Sequence, residues 1–328
     1  MDNIPLVTII TPSFNQGEYL EAAILSVLNQ NYSNLEYFVI DGGSTDGSQD
    51  IIRKYEDRIT WWVSEPDNGQ AEAINKGLRK ANGKIVAWLN SDDLYLKGAI
   101  ENAVAAFEEH PESGMVFSNV LSVDANTRII NTMRYGDWGL ADLASFKIIG
   151  QPGVFFRQEI IEKVGFLDES YQFLLDHQFW LRIALNANIQ FVDDFWAAAR
   201  YHSEAKNIAQ GSRFGEEAFR IVEWMKEGPA FQDVFRKNKK QIIAGAYNFS
   251  ARYLLDSGKP GQAFRDYMRS FMKYPQNAIK DHKRISFSFF SMFFPLDTLR
   301  ENFITKRIAG IDINKFEALL PQIENKEV

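Results

Sequence analysis

The sequence predicts an α/β fold, a mostly parallel sheet flanked by helices and followed by a C-terminal helical appendage. Three observations predict it. Short apolar runs alternate with helically spaced stretches from Leu6 to about Val104. Polar and acidic residues recur just after the apolar runs: Ser13 and Asn15, Asp41, Glu65 and Asp67, Asp92 and Asp93. Beyond Glu204 the strand signals fade and periodic helices take over. Strand and helix in alternation, with short connections, is the pattern of a parallel sheet covered by helices.

Leu6 to Ile10 reads as a buried strand. The loop Thr11 to Gly17 follows, then a helix with Leu20, Ile24, Val27 and Leu28 at helical spacing. Asn15 and Glu18 have the spacing of a capping box, with Asn in place of Ser or Thr. Leu35 to Ile40 is the second strand. It ends in Asp41-Gly42-Gly43-Ser44-Thr45-Asp46-Gly47-Ser48, and a helix runs on through Ile51, Ile52 and Tyr55. Ile59 to Val63 is a third, aromatic strand, closed by Ser64-Glu65-Pro66-Asp67-Asn68-Gly69. A helix from about Gln70 to Lys80 carries Ala71, Ile74 and Leu78 on one face and stops at Ala81-Asn82-Gly83.

The next strand, Ile85 to Leu89, ends in Asn90-Ser91-Asp92-Asp93. Adjacent carboxylates at the carboxyl end of a buried strand repel each other unless a positive partner sits with them. A hard divalent cation is the usual partner, and its remaining sites suit phosphate oxygens. Ligands of open α/β sheets bind in the crevice beyond these strand ends. The alternative is that the pair caps a following helix with Leu96, Ile100 and Val104 in its core face. Further on, Met115 to Val123 reads as a strand, Gln151 to Arg157 as a turn and short strand, Glu159 to Val164 as a short helix ended by Gly165, and Leu175 to Ala184 as a helix. Periodic helices follow at Phe219 to Met225, Ile242 to Leu255 and Ala263 to Tyr274. Ala246 to Pro275 is similar to a single tetratricopeptide-like hairpin.

The chain has 328 residues, enough for one large domain or a domain with an appendage, and the boundary falls near Gln210, giving 1–210 and 211–328. It has no cysteine, which excludes disulfides, thiolate metal sites and a cysteine nucleophile. The N-terminus carries no secretory pattern and no apolar run is long enough to span a bilayer, so a cytoplasmic protein is expected. Net charge is −7, yet Phe231 to Gly310 holds 15 Lys and Arg against 6 Asp and Glu. An acidic front and a basic tail suggest two surfaces. The aromatic stretch Ile285 to Phe294 lies in that tail, between Lys280, Lys283, Arg284 and Arg300. It fits either the buried face of a closing helix or peripheral contact with an anionic membrane.

Several of these pieces together resemble the family 2 glycosyltransferases, over roughly residues 6 to 205. They are Thr11-Pro12-Ser13-Phe14-Asn15, Asp41 to Gly47, Asp67-Asn68-Gly69 with Ala73-Ile74-Asn75-Lys76-Gly77, Asn90 to Asp93, Gln151-Pro152, and Asp176 to Arg182. The resemblance implies the GT-A fold and an inverting, metal-dependent transfer from a UDP- or dTDP-sugar to a glycan or lipid-linked acceptor hydroxyl, as in cell-surface polysaccharide synthesis. It implies no nucleic-acid partner. It places Pro12, Phe14, Asn15, Asp41, Asn68, Asn75 and Asp92 around the nucleotide, with Phe14 packed on the base and Asp41 accepting the N3–H of uracil or thymine.

The family's Asp-x-Asp metal motif begins here with Asn90, so the resemblance makes Asp93 the ligand of Mn2+ or Mg2+, with His202 as a further ligand or Lys206 meeting phosphate. Asp176 matches the general base that deprotonates the acceptor. Leu175 and Gln178 stand where the family has further acids, leaving Asp176 as the motif's carboxylate. The alternative for Asp176 is a helix cap or an ion pair to Arg182. Gln151, Trp138 and His177 fall on the acceptor side. The changes at Asn90 and Leu175 keep a second reading open, a nucleotide-sugar-binding module without catalysis that acts through its helical tail.

Overall fold

The computed structural model describes residues 4–202, 211–294 and 308–321. The chain forms two compact units. One comprises Met1–Asp137, Ile149–Arg200 and Gly310–Val328; the other comprises Trp138–Ile148 and Tyr201–Ala309. The sequence predicts a single cut near residue 210, whereas each unit also takes a segment from the other side of that cut.

In the first unit the elements run β1 (Val7–Ser13), α1 (Gly17–Leu28), β2 (Leu35–Asp41), α2 (Ser48–Lys54), β3 (Trp61–Ser64), α3 (Gln70–Lys80), β4 (Ile85–Trp88), β5 (Leu94–Tyr95), α4 (Ala99–Glu109), β6 (Ser113–Asp124) and β7 (Ile129–Met133). After α5 (Leu140–Ala144), which belongs to the second unit, come β8 (Val154–Arg157), α6 (Ile160–Val164), α7 (Leu175–Asn186) and β9 (Asn188–Tyr201). The strand order is β3-β2-β1-β4-β8-β6-β9-β5, with β7 on β6. β3, β2, β1 and β4 are parallel. β8 is antiparallel to both β4 and β6, and β5 is antiparallel to β9. Strand order reverses between β1 and β4, and that reversal opens a crevice at the strands' carboxyl ends.

Both faces of the parallel half are covered, so its strands are apolar without alternation. Val7, Ile9, Tyr37, Val39, Ile85 and Ala87 pack with Leu20, Ile24 and Val27 of α1 and with Ile100, Val104 and Phe107 of α4. On the other face α3 lies close because Gly77 has no side chain: a Cβ there would sit 2.7 Å from Ile10 Cγ2.

Three local features differ from the sequence reading or were absent from it. The capping box at Asn15 does not form: Asn15 has φ +50° and turns toward the loop after β2, and α1 begins after Gln16 with no side-chain cap. Asp92 and Asp93 do not cap a helix, because β5 intervenes and α4 starts after Gly98, at φ +82°. The long strand β9 was not foreseen; it brings the stretch before His202 back into the sheet.

The second unit is helical in its described residues apart from its short connections and the end of β9. Helix Gln232–Asp256 turns through Gly258, at φ +72°, into helix Pro260–Lys273, as the hairpin spacing predicts. Ala251, Leu254, Leu255, Ala263 and Tyr267 form its core. Helix Gly211–Glu227 stacks Phe214 on Tyr253, with ring centroids 4.3 Å apart.

Candidate active site

The loops after β1 and β2 are tied to each other. Asn15 Oδ1 accepts from Thr45 N at 3.0 Å, Asn15 N donates to Ser44 Oγ at 2.7 Å, and Gly17 N donates to Asp46 Oδ2 at 2.7 Å. Phe14, carried between them, is 59% exposed. Pro12 is buried in β1, opposite Ile40.

Asp41, the last residue of β2, is fully buried. Its Oδ2 accepts from Ser64 Oγ at 2.6 Å, Ser44 N at 2.9 Å and Gly43 N at 3.2 Å, and its Oδ1 accepts from Ser44 Oγ at 2.5 Å. Three donors crowd Oδ2 and one meets Oδ1, and the carboxylate is closed to solvent. Asp41 therefore joins the ends of β2 and β3 through its own loop.

After β3, Asp67 Oδ1 accepts from Gly69 N at 2.9 Å. Burial holds its carboxyl above the usual carboxylate range, reinforced by the charges of Glu72 and Asp41 and opposed by the Gly69 N–H and Lys76. Asn68 gives its backbone N–H and its amide to Glu72 Oε2, at 2.9 and 2.7 Å. Asn75 is buried, and its amide bridges Leu167 O and N, each at 3.0 Å, and Glu169 Oε1 at 2.9 Å. It thus anchors the loop that leads toward α7.

The end of β4 is held from three sides. Gln151 Nε2 donates to Trp88 O at 2.6 Å, and Gln70 Nε2, at the start of α3, donates to Asn90 Oδ1 at 2.6 Å. The third hold is Arg200, near the end of β9. Its backbone N–H donates to Asp93 Oδ1 at 2.9 Å and its Nε to Asp92 O at 2.9 Å. The same guanidinium reaches Asp124 O, Ala125 O and Thr127 Oγ1, and lies 4.9 Å from the Tyr19 ring centroid. Sequence reasoning passed over Arg200. The signal was there, in a cation closing the apolar run Phe195 to Ala199, but only the strand pairing gives it a partner.

Asp93 is buried beside Asp92. Burial first, and then the Asp92 charge, push its carboxyl well up, against the Arg200 N–H, the Arg200 charge and the Asn90 amide. A cation would relieve that repulsion. Asp93 Oδ2 faces Asn90 Nδ2 at a long 3.3 Å. Among the described residues no three of His, Cys, Asp and Glu cluster as a metal cage. These groups fit a hard cation held by one or two carboxylates and completed by phosphate oxygens, the arrangement magnesium-like ions favour.

Asp176 lies in the first turn of α7, and its Oδ1 accepts from His177 N at 2.7 Å. One turn on, Trp180 stacks on Trp88 at 5.0 Å and 19°, inside a cluster with Phe156 and Phe179. That stack fixes α7 against the strand that ends in the paired aspartates. Arg182 is committed elsewhere, to Gln178 Oε1 and the carbonyls of Val164 and Phe166, so it does not pair with Asp176. His177 is fully buried in α7, and Gln151 is buried under β4. Trp138 and His202 belong to the second unit, where Lys147 sits over the Trp138 ring; Lys206 lies outside the described residues.

The glycosyl transferase family 2 model matches residues 8–173, half of the chain. An uncharacterized glycosyltransferase of Rickettsia typhi is 27% identical over 212 residues, 60% of this chain and 64% of that protein. The putative teichuronic acid biosynthesis glycosyltransferase TuaG of Bacillus subtilis is 43% identical over 100 residues, 30% of this chain and 40% of TuaG. The chain thus spans less than two thirds of the length of these curated relatives. S. aureus TarS 1–349 in complex with UDP-GlcNAc superposes with a TM-score of 0.56 at 18% identity, covering 83% of this chain and 92% of that one. The mannosyltransferase PcManGT of Pyrobaculum calidifontis, in complex with GDP-Man and Mn2+, superposes at 0.59 and 19% identity, covering 98% and 89%. The fold is that of the GT-A glycosyltransferases.

Proposed function

The chain belongs to glycosyl transferase family 2, and from that membership we propose that it transfers a sugar, with inversion, from a UDP- or dTDP-sugar to an acceptor hydroxyl of a cell-surface glycan or its lipid-linked precursor. One observation carries the reading. The paired aspartates after β4 and the helix bearing Asp176 are fixed to the same strand end, through the Trp88–Trp180 stack. The putative role of TuaG in teichuronic acid biosynthesis and the UDP-GlcNAc bound by TarS support the substrate class.

Asp176 takes the proton of the acceptor hydroxyl as its oxygen bonds to the anomeric carbon. On the opposite face the carbon–oxygen bond to the diphosphate breaks, and the diphosphate leaves with the bonding electrons. Asp93, together with donor phosphate oxygens, would hold Mn2+ or Mg2+, which would supply Lewis-acid neutralisation of that leaving charge. Arg200 holds the aspartate loop in place through Asp92 O and Asp93 Oδ1.

Calorimetric titration of UDP, dTDP and GDP, each with Mn2+ and with EDTA, tests the donor site. Binding of UDP or dTDP should require both the metal and Asp93, and should be lost in Asp93→Ala. Asp176→Asn should keep nucleotide binding and lower kcat by about 10²–10⁴-fold. Absence of nucleotide binding under every condition overturns the reading.

The proposal includes a site of action at the inner face of a membrane. Among the described residues no helix is long and apolar enough to cross one. Helix Gln276–Phe290 and the turn after it expose Ile279, Phe290, Phe293 and Phe294, close in sequence to Lys280 and Lys283. Aromatic and basic groups together favour an anionic lipid surface. Co-sedimentation with phosphatidylglycerol vesicles, and not with phosphatidylcholine vesicles, is the expected result; no sedimentation with either overturns it.

A further inference from the structure

The base-reading carboxylate is the part of the donor site that the geometry reassigns. Asp41 matches that role by its place in the glycine-rich loop. Yet it is fully buried, and its two oxygens already receive Ser44 N, Ser44 Oγ, Gly43 N and Ser64 Oγ. With none of its surface open, a base N–H could reach it only by opening the loop that these donors hold.

A second carboxylate stands one residue along. A Cβ built on Gly42 would lie 2.9 Å from Asp67 Oδ2 and 3.2 Å from Phe14 Cδ2. The bare Cα of Gly42 is what allows a carboxylate oxygen and the edge of an exposed aromatic ring to approach the same point. Asp67 Oδ1 is held by Gly69 N, while Oδ2 receives no hydrogen bond among the described residues. The site therefore offers a flat apolar face, one oriented acceptor oxygen and no side chain between them. The acceptor is partly buried, so a donor presented to it counts for more than it would in open water.

We propose that Asp67, and not Asp41, reads the nucleotide base: Oδ2 accepts the single imide N3–H of uracil or thymine while the ring packs on Phe14 above Gly42. Cytosine and adenine present a bare ring nitrogen at the matching edge and would be repelled. Guanine presents two donors side by side, N1–H and the 2-amino group, for which the one open oxygen is the poorer match. The proposal rests on the glycosyltransferase reading of the same site and makes Asp67 its specificity-determining residue.

The informative variant is Asp67→Asn. Its Oδ1 keeps the bond from Gly69 N, so the turn survives, and its amide nitrogen replaces the open oxygen with a donor. UDP, dTDP, CDP and GDP are titrated with Mn2+ against wild type, Asp67→Asn and Asp41→Asn, each variant checked by thermal unfolding. Wild type should prefer UDP or dTDP. Asp67→Asn should keep its unfolding midpoint, lose roughly 10- to 100-fold in UDP affinity, and gain CDP relative to UDP, because N3 of cytosine accepts from the new amide. Asp41→Asn should lower the unfolding midpoint instead. A wild type that binds UDP, with Asp67→Asn unchanged in both UDP affinity and the CDP-to-UDP ratio, overturns the assignment and leaves the glycosyltransferase reading intact. Preference of the wild type for GDP overturns the uracil-or-thymine assignment. A wild type that binds no nucleotide sinks the donor site itself, and the assignment falls with it.

Discussion

Arg200 organises the aspartate loop largely through backbone oxygens. Its side-chain donors meet the backbone oxygens of Asp92, Asp124 and Ala125 and the Thr127 hydroxyl, and only its own N–H reaches Asp93 Oδ1. The planar fork matters here, because a lysine ammonium cannot serve carbonyls on two sides at once. Arg200→Lys is therefore expected to lose about 2 kcal/mol of stability, read by denaturant unfolding, and to weaken metal-dependent UDP binding. An unchanged titration in a folded variant would show that the aspartate loop is positioned by other contacts. Asn75 and Asp41 carry the same lesson. Both have residue types that suit a ligand, and both are committed to the protein, Asn75 to Leu167 and Glu169, Asp41 to its own loop and Ser64. Their chemistry was legible in the sequence, but their partners lie 92 and 23 residues away.

At the scale of elements, the parallel half was readable because its signals are local. Apolar runs of strand length, Gly83 after α3 and the acidic strand ends each announce themselves within a few residues. The close approach of α3 to β1 was not readable. Gly77 lies mid-helix, where glycine is a poor helix former, and only the Ile10 side chain explains it. Gly77→Val should cost about 2–3 kcal/mol, since overpacking adds to the β-branched penalty. It should also disturb Gln70 and Asn90 at the helix's far end, seen as a raised KM for donor. A variant as stable as wild type would mean that α3 can shift without loss. β9 escaped detection because it is long, is interrupted midway by Asp193 and Asp194, and pairs with β5, a strand of two residues.

For the whole molecule, the surprise is the return of the chain's last described segment to the sheet-bearing unit. Phe316, on the short helix Ile313–Glu317, meets Phe195 edge-on at 4.8 Å and 64°. Lys97 N donates to Leu319 O at 2.9 Å. The cluster they close includes Leu94, Leu96, Leu121, Val123 and Ala198. This segment thus braces β5, which directly follows Asp92 and Asp93, and β9, which carries Arg200. Phe316→Ala is expected to destabilise the protein by about 3–4 kcal/mol, measured by denaturant unfolding, a loss typical of a buried phenylalanine. An effect below 1 kcal/mol would show the segment to be a loose appendage.

The sequence by itself determined the fold class, the alternation of β1 to β4 with their helices, the hairpin of the second unit and the positions of the acidic strand ends. All of these depend on periodicity and turn chemistry, which act over a few residues. Only the tertiary structure decided which polar groups stay open to a ligand. It filled Asp41 with internal donors, left one oxygen of Asp67 beside Phe14, gave Arg200 to the aspartate loop and set α7 on Trp88 through Trp180. The physical reason is that a carboxylate has few acceptor sites, and whether they are filled depends on donors brought in by distant strands and loops.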